Sequence, residues 1–351
     1  MWINFSLAFI FSYFSRYFAR PLNYGTYIKP NKLLTILVAA TLVLVSGLRN
    51  NIGDTYAYIH SYRITNFTFA TIDYTGDFGF NILQLLLQKI SKDPQLLLFV
   101  TAAITNTLII IVLYKYSRYF ELAVYVYIAA GMFTTSMNGI RQYLAAAIVF
   151  AATKYLLNGS FKKYAIIVLL AATIHQSALV LLPIYFIVRR EAWTKVTLLL
   201  IIFSIFIVMG FNQFSEILFS TIDDTKYGSY KNFSEGGVNV LRIVVNAAPV
   251  VIAYMGRHKL KQLWPKSDYI VNLAIISMVF LIIASQNWIF ARFNIYFGLY
   301  NLILISWVIK LFKDSQQRLI YYAIILFYLV FFYYEHVMSF GLVYESDYIN
   351  F

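Results

Sequence analysis

The sequence contains no cysteine, only 6 prolines, and charges at just 12% of its 351 residues. Without cysteine there is no disulfide framework, no thiol nucleophile and no zinc–thiolate site. A water-soluble domain is about 25% charged and about 45–50% apolar. At 61% hydrophobic residues this chain falls outside that class, and 19% aromatic content excludes a disordered one. Also missing are a dinucleotide-binding GxGxxG after a strand, a Walker loop, HExxH and GxSxG; the 4 histidines include no pair at i, i+4. No cofactor and no metal is therefore expected. There is no Pro- or Ser-rich linker, no low-complexity stretch and no visible repeat, so residues 1–351 read as a single integral-membrane domain.

What is present is apolar sequence in long runs: 2–15, 33–47, 95–114, 120–137, 140–157, 161–188, 195–211, 238–256, 269–284, 293–309 and 319–334. In lipid the backbone must satisfy its own hydrogen bonds, so runs without strict alternation are helices, not barrel strands. The fold class is an all-α polytopic membrane protein: one bundle of about 12 transmembrane helices, with an interfacial amphipathic helix and extracytoplasmic loops. Residues 80–91 carry that amphipathic pattern, with Phe80, Leu83, Leu86, Leu87 and Ile90 opposite Gln84, Gln88 and Ser91. The first run lacks a charged leader and a small-residue cleavage site, which predicts a retained span.

Lys and Arg outnumber Asp and Glu by 28 to 15. In this composition the excess reads as positive-inside anchoring in the bilayer, not as a nucleic-acid footprint. Arg16, Arg20, Lys29 and Lys32 place the first loop in the cytoplasm. The acidic loop 212–237, with Glu216, Asp223, Asp224 and Glu235 against Lys226 and Lys231, faces out, and both chain ends lie outside. The run 161–188 is too long for one comfortable span and too short for two ordinary ones. As one span it breaks the charge rule twice downstream. Two limbs meeting at His175-Gln176-Ser177 near the outer side satisfy it.

This topology gathers Arg49, Asp54, Arg141, Gln142, His175, Arg242 and Arg292 at the outer ends of helices. Arginine against the charge bias and beside apolar sequence needs a partner, a cavity or a headgroup. Several guanidinium forks converging on one cavity make a diphosphate clamp. Each residue also has a plain structural reading. Arg49 and Arg292 can snorkel, Asp54 can pair with Arg49 or cap the next helix, Arg141-Gln142 can anchor a span, and a lone His175 or Arg242 can be core. As a site, Arg49, Arg141, Gln142, Arg242 and Arg292 are expected to bind substrate. His175 and Asp54 are the expected catalytic residues, with Arg49 orienting Asp54 and His175 favoured as general base.

The segments LRNNIGDTYAYIHSYR (48–63), NGIRQYLAAAIVFAA (138–152), LLAATIHQSALVLLPIYFI (169–187) and ARFNIYF (291–297) together resemble the EpsG-like family of bacterial exopolysaccharide polymerases, whose role is that of Wzy-type polymerases. The likeness runs through most of the chain in motif order. It departs at the first site, where the family pattern has Tyr directly after the Asp; here Thr55 follows Asp54 and Tyr56 comes one place later. The resemblance implies a glycosyltransferase of the bacterial cell membrane that polymerises undecaprenyl-diphosphate-linked oligosaccharide repeats into exopolysaccharide or capsule at the outer leaflet. Its partners would be that lipid-linked oligosaccharide, the bilayer, and flippase and chain-length regulator proteins. The rival reading is a lipid-linked oligosaccharide flippase or other transporter, which should place its polar residues at the bilayer midplane.

Overall fold

The computed structural model describes residues 2–21, 28–221 and 236–348. The expected outer-loop charges Asp223, Asp224, Lys226, Lys231 and Glu235 lie outside the described residues. In chain order the helices are α1 (Trp2–Tyr17), α2 (Lys32–Gly47), α3 (Thr55–Ile64), α4 (Phe78–Gln88), α5 (Gln95–Tyr116), α6 (Phe120–Ala129), α7 (Met132–Asn138), α8 (Ile140–Ala151) and α9 (Thr153–Asn158). They continue as α10 (Phe161–Ile174), α11 (Leu181–Val188), α12 (Lys195–Met209), α13 (Phe211–Thr221), α14 (Val240–Met255), α15 (Arg257–Leu263), α16 (Ser267–Ile283), α17 (Ala291–Val308) and α18 (Asp314–Phe332). Among the described residues the one sheet is a two-residue ribbon, Arg20–Pro21 against Ile28–Lys29. Every apolar run read from the sequence is helical over most of its length.

Helices that are apolar all round belong in the centre. All of α6 is buried, as is α17 from Tyr296 to Val308, and α8 and α16 are nearly so. At the periphery the pattern inverts. The outer surfaces of α12 and α18 expose Leu198, Leu199, Phe203, Phe206, Leu319, Leu326, Phe327 and Val330. Apolar surface on that scale is not tolerated in water, and the chain is a membrane protein. Among the described residues three helices are long and apolar enough to cross a bilayer, Gln95–Tyr116, Trp288–Leu311 and Asp314–Ser339, or five spans if two bent pairs count as one each. One bent pair is α6–α7, broken by 53° at Gly131, whose φ of +77° is a left-handed conformation that glycine adopts without cost.

The run 161–188 folds back on itself. α10 ends at Ile174, His175 is extended with φ −152°, and a 3-10 turn over Gln176–Val180 leads into α11. The two limbs then pack side by side: Phe161 lies 4.8 Å from Phe186, and Tyr164 lies 5.1 Å from Tyr185. At the open end the Arg189 guanidinium donates to the Leu156 carbonyl and sits against Gly159. His175 is the apex of this hairpin, about 21 Å from its open end at 1.5 Å rise over α10.

α4 is amphipathic as its pattern predicts, but its polar face is turned inward. Gln84 and Gln88 are buried whereas Leu86 is 50% and Ile90 76% exposed. The Gln88 amide donates to the Tyr62 and Thr65 carbonyls, each at 2.8 Å, and its oxygen accepts from Phe67 N–H at 3.1 Å. Those backbone groups end α3 and would otherwise be orphaned in a non-aqueous setting. Gln88 satisfies them; of the apolar face, Leu86 and Ile90 are left outward while Phe80 and Leu87 pack into the core with Leu97, Leu98 and Ile140.

Candidate functional site

The site is built around the first turn of α8. Gly139 separates α7 from α8, and the three residues after Ile140 diverge to three partners. Arg141 donates to Asp77 Oδ2 at 3.1 Å. The Gln142 amide donates to the Arg292 carbonyl at 2.8 Å, which ties α8 to the start of α17. Tyr143 points into the bundle, within the field of Arg242.

Asp77 is the residue that joins two of the expected site residues. It precedes α4, is buried, and divides its carboxylate: Oδ2 takes Arg141, while Oδ1 accepts the Gln176 N–H at 3.0 Å. The Gln176 side chain returns to the Thr75 and Gly76 carbonyls. Arg141 and the His175 turn are thereby held by one carboxylate. Close by, Ser177 Oγ lies 2.8 Å from His175 Nδ1 and 2.9 Å from the Tyr296 hydroxyl, so imidazole, serine and tyrosine form a chain from the hairpin apex into α17. Hydroxyls donate or accept by rotation, while the Ser177 N–H also points at His175 Nδ1, at 3.4 Å, and is accepted there when the ring hydrogen is on Nε2. When Nδ1 donates to Ser177, Nε2 is the basic nitrogen.

Arg292 is half-buried at the start of α17, its guanidinium 4.8 Å from the Trp288 ring centroid. Arg242, in the first turn of α14, points both Nε and Nη2 at Glu335 Oε1, at 2.8 and 2.7 Å. That carboxylate lies in a π-helical turn, Tyr333–Ser339, that follows α18.

Arg49 does not orient Asp54, contrary to expectation. It is 1% exposed; Nε donates to Thr55 Oγ1 at 2.9 Å, Nη2 to the Met137 carbonyl at 2.7 Å, and Nη1 to the Ser46 carbonyl. Burial draws its pKa down to about 10, which still leaves it charged at neutral pH. A guanidinium serves here because five donors in a fixed fork can satisfy the ends of α2, α3 and α7 together. Asp54 is exposed and its side chain makes no capping bond to α3. Its backbone N–H donates to Asn138 Oδ1 at 2.8 Å. Arg49 and Asp54 thus sit beside α8's first turn, Arg49 as a structural tie and Asp54 as a surface carboxylate.

Sequence reasoning missed Asp77, Tyr296 and Glu335, each remote in sequence from its partner. A further unforeseen tie is the C-terminal segment. The Tyr344 hydroxyl donates to the Val45 carbonyl at 3.0 Å, Asn50 N–H to the Glu345 carbonyl at 3.1 Å, and the Asn50 amide to Asp347 at 2.7 Å.

Gly53 is the tightest point of the loop. Its φ is +54°, and a Cβ there would lie 2.3 Å from Asn138 Oδ1. Gly53→Ala should therefore cost about 1–3 kcal/mol in backbone strain plus the displaced Asn138 contact. Gly341→Ala is the control, because it shares a φ of +55° but meets nothing within 4 Å. The expected result is a larger fall in the detergent melting temperature for Gly53→Ala than for Gly341→Ala; equal falls would show that the Asn138 contact carries no weight.

Almost wholly helical, apolar at its rim, and carrying arginine, carboxylate, histidine and tyrosine at the ends of its helices, the chain is an α-helical membrane protein. It belongs to the EpsG family, whose model matches residues 32–348. That match takes in α2 to the C-terminal segment and so includes every residue of the site. No curated protein and no solved structure matches the chain.

Proposed function

We propose that the protein is an exopolysaccharide polymerase: a glycosyltransferase that uses undecaprenyl-diphosphate-linked oligosaccharide repeats at the outer leaflet of the bacterial cell membrane. The observation that carries this reading is the single carboxylate, Asp77, that holds Arg141 and the His175 turn together beside the Gln142–Arg292 tie. Family membership supports it. About twelve crossings, with both ends and the His175 end of the bundle outside, complete the proposal.

In this reaction the acceptor hydroxyl of an incoming repeat attacks the anomeric carbon of the growing chain. The bond from that carbon to the diphosphate oxygen breaks, and undecaprenyl diphosphate leaves with the electron pair. Arg141 and Arg292 stabilise the charge that develops on the diphosphate, which preorganised donors do best in a site closed to water. His175 Nε2 takes the proton of the acceptor hydroxyl, with Nδ1 held by Ser177 and Tyr296. The aromatic surface of Trp288, already beside Arg292, offers a stacking face for a sugar ring.

The test is the lipid-linked glycan pool of a deletion strain, assayed by leaflet. Single repeats should accumulate on the outer leaflet, and polymer should return with the wild-type gene. Accumulation on the inner leaflet indicates a lost flippase and sinks the proposal.

A further inference from the structure

A second polar site lies at the opposite end of the bundle. α17 runs from Arg292 towards Ser306, whose hydroxyl accepts the Arg118 N–H at 2.9 Å. Over its 18 residues it separates the two ends by about 27 Å. There, between the C-terminal turn of α1, the entry to α6 and the first turns of α18, is a recess of about 460 Å³ lined by Tyr13, Arg16, Tyr119, Gln317, Arg318 and Tyr321, among others. A volume of that order suits a small ligand or headgroup.

Its chemistry is specific. Arg16 is fixed from behind by Glu121, a fully buried carboxylate, and its guanidinium lies 4.1 Å from the Tyr119 ring centroid and 6.0 Å from that of Tyr321. One nitrogen of the fork is used on Glu121, and the others have no hydrogen-bond partner among the described residues. Arg318 is exposed and forms no ion pair among the described residues. Asp314 is engaged by the Gln317 amide at 2.6 Å, and the Gln317 oxygen by Lys310 at 2.8 Å. Arg16, Arg318 and Asp314 line the recess, Glu121 pairs with Arg16 from behind, and Lys310 reaches the Gln317 oxygen at its edge, so Arg318 and Lys310 stand against Asp314 and the excess is positive by one. Tyr17 and Tyr322 of the recess lining are exposed, and so are Phe14, Phe18 and Leu319, their near neighbours in sequence at the end of α1 and the start of α18. A free solute has no use for such apolar surface, whereas acyl chains do.

We propose that this recess binds the phosphate headgroup of an anionic membrane lipid, with the free donors of Arg16 and Arg318 on the phosphate oxygens and the acyl chains along the exposed faces of α1 and α18. Basic pockets between membrane helices recognise headgroups in this way. The Tyr13, Tyr119 and Tyr321 rings supply the interfacial aromatic layer, and Asp314 and Gln317 can accept headgroup hydroxyls. The inference is independent of the reaction assigned to the His175 end.

The experiment is thermal unfolding of the purified full chain in detergent. Phosphatidylglycerol, phosphatidylcholine, glycerol phosphate and inorganic phosphate are added separately to wild type, Arg318→Gln and the paired Arg16→Gln/Glu121→Gln. The paired change avoids leaving Glu121 buried without its partner. Wild type should melt several degrees higher with phosphatidylglycerol than with phosphatidylcholine, because a ligand of the native state stabilises by mass action. Arg318→Gln, on the surface, should melt as wild type without lipid and bind phosphatidylglycerol about tenfold more weakly. Equal stabilisation by both lipids, or an undiminished phosphatidylglycerol effect in Arg318→Gln, would overturn the proposal. Glycerol phosphate or inorganic phosphate acting as well as the lipid would show a soluble phosphate ligand and overturn the lipid assignment.

Discussion

Replacing His175 by glutamine is expected to lower polymer formation by about 10²–10⁴-fold, the range for loss of a general base, at unchanged amounts of membrane-inserted protein. Glutamine keeps a hydrogen-bonding group for Ser177 but cannot take up the acceptor proton. The structure sharpens the contrast with Asp54. That carboxylate is exposed, neither caps α3 nor pairs with Arg49, and contacts its neighbourhood through its backbone N–H. Asp54→Asn should therefore stay within about threefold of wild type, as surface substitutions away from special features do. Tyr296→Phe removes the far hydroxyl of the His175–Ser177–Tyr296 chain. It should give a loss between those two, with a changed pH profile because the imidazole has lost part of its support. Near-normal activity in His175→Gln alongside a collapse in Asp54→Asn would move the base to Asp54. Near-normal activity in both would mean that positioning and charge suffice.

Much of the scaffold was legible because lipid leaves few choices. An apolar run must be a helix in a bilayer, and the helices found follow the runs. The hairpin of 161–188 was legible from charge alone, since a single span would have put Arg189 and Arg257 on the wrong side. The break falls at His175, where the sequence offers polar residues in an apolar run. What the sequence hid are pairings across distance. Asp77 sits at the end of a loop whose other charge is Asp73, and nothing local says that it meets both Arg141 and Gln176, 64 and 99 residues on. Glu335 and Arg242 are separated by 93 residues. Arg49 was misread for a physical reason. Proximity in sequence to Asp54 suggested an ion pair, yet a buried guanidinium gains more from three fixed acceptors at helix ends than from an exposed carboxylate. α4 shows the same lesson. Its two-faced pattern was plain, but a polar face in a membrane protein turns towards unsatisfied backbone, not towards water.

Arg141 and Asp77 carry the other large effect. Arg141→Lys keeps the charge and can still meet Asp77 as a point charge, so the protein should reach the membrane in normal amount. It loses the planar fork that grips two phosphate oxygens at once. Polymer formation should fall by about 10²–10³-fold, the size seen when one preorganised donor to a developing anion is removed, nearly as far as in Arg141→Ala. Arg141→Ala also takes the ion-pair partner from Asp77, whose side chain is only 8% exposed, so its protein level should drop as well, since breaking a buried ion pair from one side is costly. Asp77→Asn separates the two contributions. Asparagine still accepts the Gln176 N–H through its oxygen, but the ion pair to Arg141 is gone. Activity should fall while the fold survives. In the double variant Asp77→Asn/Arg141→Ala the protein level should recover relative to Arg141→Ala alone, and the activity losses should be less than additive because one network has been cut twice. Full activity in Arg141→Lys would reduce Arg141 to an anchor of α8. Strictly additive losses would mean that Asp77 and Arg141 act apart, and Asp77 would then not be what positions Arg141 on the diphosphate.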